Sequence, residues 1–392
     1  MEQRSRWNVI VVGAGIGGLT AARVLRRIGC EVRIVERAPG LRAVGSGITL
    51  QANAMAALAS IDDAEAIIEA GYPLEEGRIA NRRGKTLQRI DLRELTEQLG
   101  HCGIAIDRGR LVEVLADGLD DIIEFDATVE VAQSLEEEAT VELDDGRTLR
   151  ADAVIGCDGL HSAVRRSIFG DESLRYAGYT TWRGMAEMEA DAGATVEYWG
   201  AGRRFGTTPI SESEIYWFAV DDAPEGEEPS EPILDEVRPR FEGWAESIEK
   251  VLDCTVVDSV IRTDVHDRPP VDTLGTGRLT LLGDAAHPMT PNLGQGGSQA
   301  VEDAVVLGRM IDGFESLIMA LRRYESLRVP RANEFVNQSW RLGNIAQWKN
   351  PAARGLRNTL VRLLPAAMTE KRFVEMYDFE GWYDSVTDWP AR

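Results

Sequence analysis

Lysine is nearly absent from this sequence. Its 392 residues contain only Lys85, Lys250, Lys349 and Lys371, so almost all of the 43 basic residues are arginine. Histidine and cysteine are equally sparse, four of each. Cys30, Cys102, Cys157 and Cys254 show no CxxC spacing, and none stands at ligand spacing from a histidine. That excludes a zinc knuckle or a disulfide framework and leaves reduced core thiols, with no metal site expected. No apolar run reaches the ~18–20 residues that span a bilayer. The first run, Val9 to Val12, reads as a strand and not as the apolar core of a signal peptide. A soluble, cytoplasmic protein is therefore expected.

Positive charge is also short. Sixty-five acidic residues outweigh the basic ones, for a formal charge of −22 and a pI near 4.7. Such a surface repels nucleic acid, which removes that class of partner. A GC-rich genome explains the arginines but not the acidic excess. A halophilic source, an acidic proteome in which salt screens self-repulsion, explains the excess.

What is present is a chain of mixed texture, 44% hydrophobic, long enough for two lobes sharing one folded unit. Asn8 to Val12 is an apolar strand, Gly13 to Gly18 a turn, Leu19 to Ile28 helical in spacing and Glu31 to Glu36 extended, which together make a βαβ unit. A helix built on Ala54 to Leu58 continues through Ala64 to Ile68. Leu111, Val114, Leu115 and Leu119 mark another after Arg108. From Ile122 to Ile155 the pattern alternates, with Asp145-Gly146 as a hairpin turn. A middle block, Tyr176 to Val265, carries the alternating runs Ala194–Trp199 and Glu214–Val220, an acidic loop from Asp221 to Pro232, and a helix over Leu234 to Val251. Strand character returns at Leu279–Leu282, followed by a helix over Gln295 to Ile311.

The fold class expected is α/β: a discontinuous Rossmann-like dinucleotide-binding domain with a parallel sheet, a sheet-rich second domain, and C-terminal helices. The boundaries read as 1–175 for the first part of the cofactor domain, with an excursion toward the second lobe near 72–100. The second domain takes 176–267, the rest of the cofactor domain 268–345, and a helical segment 346–392.

The chemistry starts at Gly13-Ala14-Gly15-Ile16-Gly17-Gly18, a G-x-G-x-x-G run between a strand and a helix. Gly13 permits the tight turn, Gly15 lets a pyrophosphate reach the backbone, and Gly18 lets strand and helix pack closely, while the helix N-terminus supplies amides. Glu36, 18 residues past Gly18, ends the second strand where a carboxylate accepts from ribose hydroxyls. This motif alone leaves NAD and FAD both open. Arg37 beside it offers charge that would steer an anionic dinucleotide.

Two later segments distinguish these cofactors by resemblance. Leu279-Thr280-Leu281-Leu282-Gly283-Asp284-Ala285-Ala286-His287 resembles the second FAD fingerprint of single-component flavoprotein aromatic hydroxylases and of zeaxanthin epoxidase-like enzymes. Ala153 to Arg166, with Asp158-Gly159 inside it, is similar to the Asp-Gly motif of the same FAD-dependent monooxygenases. The resemblance implies a p-hydroxybenzoate hydroxylase-type fold, noncovalent FAD, and a ribityl contact for Asp284 beside Gly283. It implies FAD and nicotinamide contacts around Asp158 and Gly159, with Arg165 and Arg166 offered to a phosphate. Pro291-Asn292-Leu293-Gly294-Gln295-Gly296-Gly297-Ser298 resembles the loop whose amides face the flavin pyrimidine. Ser298 stands where the family often has Asn. Gly45 to Ala54, including Gly47, resembles the segment beside the flavin, and Arg108 the arginine that reaches FAD phosphate or ribose.

The implied reaction is reduction of the flavin by NADPH or NADH, addition of O2 at flavin C4a, and delivery of one oxygen atom to a small aromatic or isoprenoid-like substrate. A flavin reductase or dehydrogenase that does not use O2 shares these motifs, as does a nonenzymatic flavin redox sensor. The W-x-W-x-I-P signature of halogenases is absent. The middle lobe would supply the substrate wall, with Arg183, Arg204, Tyr216 and Phe218 as candidates. Alternation places Tyr216 and Phe218 on one sheet face and Trp217 on the other. No histidine lies in the central strands, so no catalytic base is named. An apolar or alkene substrate then fits better than a phenolate unless Tyr216 takes a base's place. Near the end, Ala353 to Met368 interleaves arginines with leucines. Packing of that helix's apolar face on the core is expected, with peripheral membrane contact as the alternative.

Overall fold

The structure, a computed structural model, describes residues 6–41, 46–190 and 193–387. Its first layer is a six-stranded sheet in the order 275–276, 279–281, 153–156, 8–12, 31–35, 123–124, parallel except at the first of these. Strands from both sides of the middle block share this sheet, so the dinucleotide-binding fold is discontinuous. Val9 to Val12 and Ala153 to Gly156 are buried throughout, the signature of a parallel sheet covered on both faces.

Helix Ile16–Arg27 begins three residues before the expected Leu19, because Gly15 is its N-cap and the last two glycines form its first turn. It packs on helix Gly296–Gly313. A Cβ added at Gly308 would lie 2.0 Å from Val24 Cγ1, so only glycine allows that approach. An antiparallel sheet of Val129–Ser134, Ala139–Leu143 and Thr148–Ala151 contacts the first sheet. Its hairpin turns at Asp145-Gly146, with Gly146 at φ 84°.

The second large sheet has seven strands in the order 261–267, 175–187, 214–221, 203–209, 194–199, 76–81, 86–91. Strand Glu76–Asn81 pairs in parallel with Ala194–Trp199, so the 72–100 segment contributes a hairpin to this lobe. One sheet face, carrying Trp182, Tyr198, Phe205 and Trp217, is buried against helices Leu234–Phe241 and Glu246–Asp253. The sequence pattern suggested one helix there. Gly243, at φ 71°, breaks it.

Helix Leu317–Ala346 spans 30 residues and lies along Gly296–Gly313. The basic segment expected as one helix over 353–368 is two, Pro351–Leu363 and Ala366–Tyr377, followed by Phe379–Val386. Leu364 before Pro365 sits at φ −65°, ψ 120°, because the proline ring disfavours helical geometry at the residue preceding it. Among the described residues no helix is long and apolar enough to cross a membrane.

Candidate cofactor groove and substrate face

The C-terminal ends of the parallel strands open into a cavity of about 530 Å³. Gly13, Gly15, Glu36, Arg37, Arg108, Asp158, Gly159 and Arg166 line it. Gly13 has φ 103°, and a Cβ there would lie 2.6 Å from Cys157 O. A Cβ on Gly18 would lie 1.9 Å from Gly13 O, whereas one on Gly15 meets nothing within 4 Å. Two of the glycines therefore serve chain packing and the third leaves room for a ligand. Glu36 accepts from Ala14 N and Ala38 N, both at 2.8 Å. Each oxygen keeps a lone pair for a hydroxyl donor.

Arg37, Arg108 and Arg166 are exposed and have no ion-pair partner among the described residues. Arg165 differs. It is buried, bonding Glu172 and the carbonyls of Ala285 and Ala286, so it braces the Gly-Asp loop and is not presented to a phosphate. Asp158 caps the next helix, accepting from Ser162 Oγ at 2.5 Å and Ala163 N at 2.7 Å. Burial raises its pKa, against the pull of those donors.

Asp284 follows strand Leu279–Leu281, exposed to solvent on one side and hemmed by protein on the others. That crowding raises its pKa, while His287 and Arg108 oppose the rise. Gly296, whose Cβ would lie 3.7 Å from Asp284 Oδ1, opens helix Gly296–Gly313, where the first amides have no intrahelical acceptor. Pro291 and Gly294 are exposed in the preceding loop. Gly297 packs near Ile48 on strand Gly47–Leu50, while Gly45 lies outside the described residues. A Cβ on Gly17 would lie 2.5 Å from Leu282 Cδ2, which ties the two glycine motifs together. Gln295 does not reach the groove with its side chain. That amide is buried between Asn53 and Gln299, because the helix start turns it inward. Ser298 Oγ accepts from Gln51 N.

Beneath this helix lies a cluster that the sequence reading missed. Arg328, fully buried, bonds Asp303 and Glu302 at 2.5 Å each, and Arg331 bonds Glu302 at 2.7 Å. Asp303 also accepts from Gly283 N at 2.8 Å and pairs with His287 Nε2 at 2.6 Å. His287 Nδ1 has no partner among the described residues. Burial pushes the Asp303 pKa up, but His287 and Arg328 overcome it and hold it at about 2. Burial would lower the Arg328 pKa, yet Asp303 and Glu302 keep it above its ordinary value. The available signal was Glu302-Asp303 between the apolar Ala300-Val301 and Ala304 to Leu307, with Arg328 and Arg331 one turn apart further on.

The seven-stranded sheet has a second face, opposite Trp217. Tyr216 and Phe218 are half-buried on it, with ring centroids 6.5 Å apart, while Trp217 is fully buried on the opposite face. A Cβ on Gly47 would lie 2.4 Å from Tyr216 Cγ, so this aromatic face meets the strand beside the cofactor groove. Burial raises the Tyr216 pKa, partly offset by the nearby positive charges of Arg183 and Arg108. Arg204 is buried, held by Glu197, Asn292 and Gln347. Asn292 passes the link on to Tyr179 and Ser339, so Arg204 ties the sheet to the Pro291–Leu293 turn.

Among the described residues no cluster of three or more His, Cys, Asp or Glu could hold a metal ion. The glycine cradle, the unpaired cations and Glu36 fit a dinucleotide. Comparison with known proteins agrees. A family model described as "FAD binding domain" matches residues 6–339. The chain is 43% identical over 367 residues to an aurachin C monooxygenase/isomerase from Stigmatella aurantiaca, covering 93% of this chain and 96% of that one. It is 35% identical to a 2-heptyl-3-hydroxy-4(1H)-quinolone synthase from Pseudomonas aeruginosa, covering 95% and 98%. The structure of Klebsiella pneumoniae HpxO complexed with FAD and uric acid superposes with a TM-score of 0.89 at 28% identity, covering 94% of this chain and 96% of that one. FAD is thus the cofactor, and the chain belongs to the FAD binding domain family as one of its FAD-dependent monooxygenases.

Proposed function

We propose that this chain uses NADPH or NADH and O2 to hydroxylate or epoxidise a small aromatic or isoprenoid-like molecule held against the Tyr216 and Phe218 face. The observation that carries this reading is the contact between Gly47 and Tyr216, next to Ser46, whose carbonyl accepts from the backbone N–H of the groove-lining Arg108. The 43% identical relative is named for monooxygenation, which supports the same reaction class.

Glu36 would hold the adenosine ribose, the amides at Gly13–Gly18 with Arg37 and Arg108 the pyrophosphate, and Asp284 the ribityl chain. The amides at Gly296 and Gly297 would sit at the pyrimidine edge, where a helix N-terminus favours the negative charge of a reduced flavin. When bound, FAD supplies hydride acceptance and the activation of O2. The protein's task is to orient the substrate and keep water out. Tyr216 and Phe218 offer planar apolar contact, and Arg183 polarises the Tyr216 phenol so that it can donate to a substrate oxygen.

The test uses FAD-loaded protein with NADPH or NADH, a panel of aromatic and isoprenoid substrates, and isotopically heavy O2. The expected result is substrate-stimulated nicotinamide oxidation with one heavy oxygen in the product. Reduction of artificial acceptors with no heavy oxygen in any product would replace this reading with a reductase.

A further inference from the structure

The apolar stripe expected to face the core is on the outside. Leu356, Leu360 and Leu363 of helix Pro351–Leu363 are 57%, 58% and 67% exposed. At about 100° per residue they fall within an arc roughly 60° wide. Leu364 and Met368 lie at the junction with the next helix and are also exposed, as is Trp348 in the turn before Pro351. Single exposed leucines are ordinary on a soluble surface, but a continuous stripe of this kind marks an interaction site.

Charge is segregated in the same stretch. From Arg341 to Arg372 there are seven basic residues and a single acid, Glu370, in a chain whose net charge is −22. Arg357 is turned inward onto the carbonyls of Ala346 and Gly200. Lys349 pairs with Asp222 and Lys371 with Glu375. Arg341, Arg354 and Arg362 have no carboxylate partner among the described residues. Both helices pack on edge strand Thr86–Asp91, whose hairpin tip adds the exposed Arg82, Arg83 and Lys85.

We propose that this face docks on an anionic lipid bilayer, with the leucines entering the headgroup boundary and the arginines pairing with lipid phosphates. Two features favour that occupant. Apolar area and local positive charge together are what an interfacial helix needs, and neither alone gives stable attachment. A second copy meeting this face across a two-fold axis would set its basic residues against themselves, whereas a lipid phosphate surface is complementary. The strongly acidic remainder of the molecule would be repelled from such a surface, which fixes orientation as well as attachment. This inference does not rest on the reaction proposed above.

The experiment is co-sedimentation of the FAD-loaded full chain with large vesicles, either equal parts phosphatidylglycerol and phosphatidylcholine or phosphatidylcholine alone. Binding is expected to the anionic vesicles only and to be released at about 0.5 M KCl, where the screening length is short. Changing Leu356, Leu360 and Leu363 together to Ser should lower partitioning about tenfold or more, with flavin content and melting temperature unchanged. Arg362→Glu, a single exposed change, should act in the same direction if the triple variant folds poorly. Absence of the parent protein from the anionic pellet would overturn the proposal, as would binding indifferent to both variants. Concentration-dependent dimerisation abolished by the serine variant, without vesicle binding, would assign the face to a second copy instead.

Discussion

The cofactor groove and the ion cluster under helix Gly296–Gly313 are built from similar residues and used in opposite ways. In the groove Arg37, Arg108 and Arg166 stand exposed with no ion-pair partner among the described residues. In the cluster Arg328, Glu302 and Asp303 are fully buried and every charge is paired. An exposed cation costs little in water and gains when a phosphate arrives. A buried one is tolerable only if its partners are already in place. Unpaired charge therefore marks where a ligand belongs, and fully paired charge marks structure that holds the ligand's site in shape.

The largest effect should come from the cluster. Arg328→Met leaves Glu302 and Asp303 buried without their main counter-charge, and should cost about 3–5 kcal/mol of stability in urea melts. Because Asp303 also holds Gly283 N–H, flavin retention should fall with it. An Arg328→Met protein that unfolds with the parent would erase the distinction between the two regions.

Acid should attack the same cluster. Asp303 has its folded pKa depressed to about 2 from an ordinary 3.8, so it contributes stability above 3.8. As pH falls below 3.8 the unfolded chain binds the proton first, and the contribution is gone below about 2. The loss is on the order of 2 kcal/mol for this one group. Asp303→Asn should flatten that part of the pH–stability curve, and an unchanged slope would count against the assignment.

In the groove the same logic predicts binding effects with little cost in folding. Asp284→Ala should weaken FAD retention about tenfold, as expected for a lost hydrogen bond to a charged acceptor, measured by ultrafiltration of released flavin. Arg108→Ala should change stability by less than about 0.5 kcal/mol while slowing FAD association, most visibly at low salt. If either variant loses stability and keeps its flavin, the groove is behaving like the cluster.

The smallest effect concerns the whole surface. With 65 acidic against 43 basic residues, the melting temperature should rise between dilute buffer and about 1 M KCl, where the screening length falls to ~3 Å. Sucrose serves as the control for general exclusion. A melting temperature flat in salt would remove the halophile interpretation.

Much of this was legible in the chain. The glycine run between a strand and a helix, Glu36 at the end of the next strand, and Gly283-Asp284 after a third are local patterns, and the first two line the groove while the third packs on the first helix through Leu282 and Gly17. The alternation that separates Tyr216 and Phe218 from Trp217 is equally local. Arg204, Gln295 and Arg165 could not be read this way. A polar side chain near a motif looks the same in sequence whether it faces a ligand or the core, and its partners here are distant: Asn292 for Arg204, Asn53 for Gln295, Ala286 for Arg165. The leucine stripe of Pro351–Leu363 carried the same ambiguity, since helical periodicity shows that an apolar face exists and not what covers it.

By itself, then, the sequence determined the elements whose causes are short in range: the βαβ opening, its glycine turn, the acid at the strand end, the alternating sheet faces and the acidic surface. Tertiary structure decided which charges are paired, which arginines are left unpaired among the described residues, that 76–81 pairs in parallel with 194–199, and that the C-terminal leucines face outward. The physical reason is that backbone geometry and periodicity are set by neighbours within a few residues. Burial and charge pairing are set by whichever segments the fold brings together, here as far apart as Asn53 and Glu302.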